Sequence, residues 1–139
     1  MVIVLLGIIS AVAMPKFFGR SSFDERVLFD DTLAALRYAQ KQAVASGCNT
    51  RMVFTNTTFN LLRDDNCNSG NFNSSLTVPH PATGENSYSG SQNNVTITAN
   101  NATTTFNAIG TADADNLIKI GKYSINVVAA TGFSYDSTP

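Results

Sequence analysis

The sequence predicts an α+β fold, a long N-terminal helix packed on a domain of antiparallel β-sheet, and three observations carry that prediction. An apolar run from Met1 to Met14 passes without a polar linker into a stretch with helical periodicity that ends near Gly47. Beyond Gly47 the apolar period shortens to that of a strand, in brief alternating segments separated by Asn, Ser, Gly and Pro. Two cysteines, Cys48 and Cys67, fall where the helix gives way to the first of these segments.

The apolar run comes first. Only Gly7 and Ser10 interrupt it, and it stops at Pro15-Lys16. As a helix it spans about 21 Å against a hydrocarbon core of about 30 Å, so about six or seven further apolar residues upstream of Met1 are expected to complete a membrane span. A cleavable secretory signal is the rival reading, since Ala11-Val12-Ala13 supplies small residues near the end of the run. No basic segment precedes the run, however, and the chain continues directly into helix, which favours a retained anchor. Residues 1–20 are therefore read as the membrane half of the helix and 21–139 as one globular domain outside the membrane; about 115 residues suffice for one core and not two.

The amphipathic part of the helix is predicted from about Phe23 to Ser46. Ser22 and Glu25 have the spacing of a capping box, and Asp24 and Glu25 suit a first turn. Phe29, Leu33, Leu36 and Ala43 mark one buried face, with Gln40 standing where an apolar residue is due. Arg26, Asp30, Arg37 and Lys41 fall on the wet side, and Gly47 stands where a left-handed C-terminal cap is wanted.

Arg51 to Phe54 and Thr58 to Leu62, flanking Asn56-Thr57, read as a β-hairpin. Further strands are predicted at Leu76 to Val78, Val95 to Thr98, Thr103 to Asn107, Leu117 to Ile120, Tyr123 to Val128 and Gly132 to Tyr135, with a tight turn around Gly121. Asn66 to Ser75 and Pro79 to Asn94 are too rich in Asn, Ser, Gly and Pro for regular structure and are expected as loops. In an exported small domain Cys48 and Cys67 read as a disulfide tying the helix end to the far end of the hairpin, contributing on the order of 3 kcal/mol.

Composition narrows the chemistry. Nine Lys plus Arg against ten Asp plus Glu give a net charge of -1, with 14% charged residues, so nothing in the charge balance favours nucleic acid, and no nucleic-acid partner is expected. His80, the single histidine, sits between prolines in an expected solvated loop with no nucleophile elbow nearby, so no catalytic residue is assigned and the chain is not read as an enzyme. Asp64-Asp65 and Asp113-x-Asp115 do not continue into a calcium-loop pattern, and the cysteines lack zinc spacing, so no metal or other cofactor is assigned.

The whole arrangement, from Val2-Ile3-Val4-Leu5-Leu6-Gly7-Ile8-Ile9 through Pro15 into a long amphipathic helix and a β domain, resembles the type IV pilin and pseudopilin family. Within it, Leu33 to Ala43 followed by Gly47-Cys48, the F-x-x-x-G of Phe106 to Gly110, and Thr131-Gly132 are similar to the general secretion pathway protein H and fimbrial T group of minor subunits. Ser21 to Val27 is similar to a minor subunit of mannose-sensitive haemagglutinin pili. The family's cleavage site, methylated residue and essential glutamate lie upstream of this stretch and match no residue present.

The resemblance implies a type IV pilin-like fold and a subunit that helps initiate or assemble a type IV pilus. Such a subunit waits in the bacterial inner membrane as a single-pass protein, domain in the periplasm, and then joins a surface filament. Its partners would be membrane lipid before assembly, other major and minor pilins, and the inner-membrane assembly platform. Val4, Gly7, Ile8, Ala11 and Pro15 are assigned to filament-core packing, small residues permitting close helix approach and Pro15 kinking the helix. The alternative role is a pilus-tip adhesin or ligand-binding module, for DNA or a surface, working through the loops Asn66 to Ser75 and Pro79 to Asn94.

Overall fold

The computed structural model describes Val4 and residues 20–139. Helix α1 covers Arg20–Ser46. It is followed by β1 (Thr50–Phe54), β2 (Thr58–Arg63), β3 (Ser89–Ser91), β4 (Ile97–Ala99), β5 (Thr103–Phe106), β6 (Asn116–Ile120), β7 (Tyr123–Val127) and β8 (Ser134–Asp136). The strands form two antiparallel sheets, ordered β3-β2-β1-β5 and β4-β6-β7-β8. Among the described residues no helix is long and apolar enough to cross a membrane.

Helix α1 packs on both sheets. Its buried residues are Leu28, Phe29, Thr32, Ala35, Leu36, Ala39 and Ala43, while the predicted Leu33 is only half-buried. Alanines at 35, 39 and 43 repeat every four residues and are wholly buried, so they let the helix backbone approach the strands closely. The expected wet side holds: Arg26, Asp30, Arg37 and Lys41 are exposed. At the far end Gly47 adopts φ +69° and donates its N–H to the Ala43 carbonyl at 3.0 Å, the left-handed cap that the sequence predicts.

The expected capping box does not form at the helix start. Ser22 lies inside α1, and Glu25 instead faces the β6–β7 turn, its Oε2 accepting the Lys122 N–H at 3.4 Å.

Strand alternation follows the predicted period. In β1, Thr50, Met52 and Phe54 are buried; in β2, Phe59 and Leu61 face the same core. Ile118, Ile120, Ile125 and Val127 bring the second sheet into that core. Between the sheets Asn116 of β6 is buried with its amide satisfied: Nδ2 donates to the Asn101 carbonyl and to Thr104 Oγ1 of β5, each at 2.9 Å, and Oδ1 accepts the Asn101 N–H.

Two segments depart from expectation. Leu76 to Val78 forms no strand; Thr77 makes an isolated bridge to Leu62, and Pro79, with no N–H to donate, ends the pairing there. Conversely, Ser89–Ser91, expected within a loop, forms β3 on the edge of β2. Its Gly90 passes so close over Phe59 that a Cβ would collide with the ring.

Candidate functional site

The two glycine motifs singled out in the sequence arrive at one place, the C-terminal part of α1. Gln40 is the reason. Its Nε2 donates to the Gly110 carbonyl and to the Thr131 carbonyl, each at 2.8 Å. Asn107 shapes the first motif, its Oδ1 accepting the N–H groups of Ile109 and Thr111 at 3.1 Å while Phe106 is fully buried. The second motif closes on Gly132, which has φ +66° and donates to the Val128 carbonyl at 2.7 Å. A Cβ on Gly132 would overlap the Gly110 carbonyl oxygen, so the two turns are in backbone contact. The polar interruption in the apolar stripe therefore clasps both turns to the helix.

Large apolar side chains stand exposed around this clasp. Val44 is next to Gly110, Ile109 is 79% exposed, and Phe133 is 56% exposed and stacked on Tyr135 with ring centroids 5.8 Å apart. Phe23 and Val27, one helical turn apart, are exposed nearer the start of α1. Such groupings on an otherwise polar surface suit protein contacts rather than chemistry.

Cys48 and Cys67 form the expected disulfide. It pins a long excursion between β2 and β3 that Asp64 organises. The Asp64 carboxyl is buried, which opposes its ionisation, but hydrogen bonds from Ser69 Oγ and from the N–H groups of Gly70, Asn66 and Ser69 outweigh that and hold it below the usual carboxylate range.

A second clasp was not foreseen from the sequence. Asp31, half-buried on α1, accepts the Tyr88 hydroxyl at 3.2 Å. Burial, then the nearby Asp31 charge and this hydrogen bond, push the Tyr88 hydroxyl up to about 12, while burial also raises Asp31 against the opposing pull of Tyr88 and His80. The apposition of a carboxylate to the helix side beside Leu28 and Ala35 is the trace it leaves in the sequence.

The remaining polar residues weighed from the sequence have structural roles. His80 is only partly exposed; its Nδ1 accepts the N–H groups of Ala82 and Thr83, and its ring lies 4.2 Å from that of Tyr88. Asp113 accepts the Thr105 and Ala114 N–H groups, and Asp115 the Ala129 N–H. Among the described residues no three His, Cys, Asp or Glu side chains converge as metal ligands. Of the five filament-packing assignments, Val4 is helical and 66% exposed; Gly7, Ile8, Ala11 and Pro15 lie outside the described residues.

No protein-family model matches the chain, and no curated relative matches it. Solved structures do. Two crystal forms of the Pseudomonas aeruginosa (strain PAO1) type IV minor pilin FimU align with TM-scores of 0.53 and 0.54 at 14% identity. The alignments cover 84% and 86% of this chain and 91% and 89% of the FimU chains. With one helix packed on antiparallel sheets, this chain has the fold of a type IV minor pilin.

Proposed function

We propose that this chain is a minor pilin, a non-catalytic structural subunit that helps initiate or assemble a type IV pilus. The observation that carries the reading is the division of α1 into two faces. One is buried on both sheets, and the other bears exposed Phe23 and Val27, which follow the apolar run Met1 to Met14 in the sequence. A neighbouring subunit in a filament would cover that ridge, and its burial would stabilise the contact by about 1.5–3 kcal/mol per large side chain. The likeness to FimU supports the reading.

In this proposal residues 1–20 hold the subunit in the inner membrane, single-pass, with 21–139 in the periplasm, before it enters a surface filament. Val4, Gly7, Ile8, Ala11 and Pro15 then pack in the filament core against other major and minor pilins, after delivery by the inner-membrane assembly platform. The similarity of Ser21 to Val27 favours a subunit of the minor pilin C type of the mannose-sensitive haemagglutinin pilus. The test is deletion in the host bacterium, with surface filaments counted by electron microscopy. Loss of filaments, restored by the wild-type chain and not by a folded Phe23→Asp, Val27→Asp variant, is the expected result. Undiminished filaments lacking this chain in the sheared fraction would overturn the proposal.

A further inference from the structure

The outer face of the first sheet carries a cavity. In β1 and β2 the residues Met52, Phe54, Phe59 and Leu61 face the core, so Val53, Asn60 and Leu62 project from the opposite side. The excursion between β2 and β3 folds back over that side. Leu62 is only 9% exposed although it lies outside the core, and Arg51 places its guanidinium 3.9 Å from the Phe72 ring centre. The covering segment is held by the Cys48–Cys67 bond, by the Asp64 network and by Thr77 Oγ1, which donates to the Asn86 carbonyl at 2.6 Å. Between sheet and excursion lies a cavity of about 350 Å³ lined by Val53, Asn60, Leu62, Ser74, Thr77 and Ser87.

We propose that this cavity binds a neutral saccharide. Its volume falls at the lower end of the range of about 300–1,000 Å³ for small-molecule sites, room for a monosaccharide or disaccharide. None of the lining residues is ionisable, so a phosphate or carboxylate ligand finds no counter-charge among them. The Asn60 amide and the Ser74 and Ser87 hydroxyls hold no hydrogen bond among the described residues and are free to donate and accept, and the Thr77 oxygen retains acceptor capacity. Val53 and Leu62 supply an apolar floor for the C–H face of a sugar ring. The inference stands whether or not the chain enters a filament.

The experiment is a titration of the full chain, ¹⁵N-labelled, in dodecylphosphocholine micelles, whose headgroup contains no sugar. Galactose, mannose, N-acetylglucosamine and lactose are the probes. For at least one of them, saturable shifts should appear at Asn60 (side-chain amide included), Ser74, Thr77 and Ser87. Ser87→Leu, which fills the cavity, should weaken binding by at least tenfold. Asn60→Ala should weaken it about tenfold, the worth of one lost hydrogen bond, and decides the matter if Ser87→Leu does not fold. Absence of shifts with all four sugars, non-saturating shifts spread over the surface, or unchanged affinity in a folded variant each overturns the proposal.

Discussion

Replacing Gln40 by Met isolates the clasp, because Met keeps the length and apolar stem of the side chain and removes only the amide. Two hydrogen bonds of 2.8 Å are lost. The Thr131 carbonyl belongs to an exposed residue and recovers a water partner, so its loss costs at most about 1 kcal/mol. Gly110 is buried, and an orphaned buried acceptor costs about 1–3 kcal/mol. The sum is about 1–4 kcal/mol, or about 4–16 °C in Tm for a domain of this size. Urea unfolding followed by tyrosine fluorescence and circular dichroism measures it, with Lys41→Met on the exposed face as a control expected within about 0.5 kcal/mol of wild type. A Gln40→Met cost below about 0.5 kcal/mol at unchanged denaturant slope would mean that the two turns do not depend on this amide.

Three further outcomes follow from the same contacts. Gly132→Ala should cost more than about 3 kcal/mol because its Cβ meets the Gly110 carbonyl, whereas Gly47→Ala, at a similar positive φ with open space around it, should cost about 1 kcal/mol; midpoints of the two urea curves make the comparison. Replacing both Cys48 and Cys67 by Ser should lower stability by about 3 kcal/mol in the same assay, with proteolytic nicking concentrated between residues 64 and 88. Asp64 is held below its ordinary value, so its contribution is fully present above about pH 4 and is lost as pH falls through the folded value. Asp64→Asn should therefore be less stable than wild type at pH 7, and the gap should narrow on acidification; a gap independent of pH would refute the assignment.

Most of the element order was legible because periodicity reports directly on burial. The helix end at Gly47, the hairpin β1–β2 and strands β4 to β8 lie within a few residues of their predicted places. The misses share one cause. Ser89–Ser91 pairs with Thr58, Phe59 and Asn60 through backbone groups alone, so its side chains carry no alternating pattern. Leu76 to Val78 has that pattern, yet its pairing stops after one bridge where proline follows. Division of the strands into two sheets was not legible either, since it rests on long-range pairings such as Thr50 with Phe106.

For the site, the informative residues were the ones that broke the pattern. Gln40 was visible as a polar gap in an apolar stripe, but its partners lie 70 and 91 residues away and nothing local names them. Asp31 looked like its neighbour Asp30, which pairs with Arg26 on the wet face, although one step along the helix turns Asp31 toward Tyr88. A polar side chain on the buried side of a helix costs free energy unless it is satisfied, so its presence there implies a partner brought by the rest of the chain. Here Asp31 and Gln40 divide the work, while the buried Thr32 is satisfied within the helix by the Leu28 carbonyl. Asp31 holds the segment entering β3 of the first sheet, and Gln40 holds the turns that follow β5 and precede β8. The helix is thereby fastened to both sheets by polar contacts at separate heights.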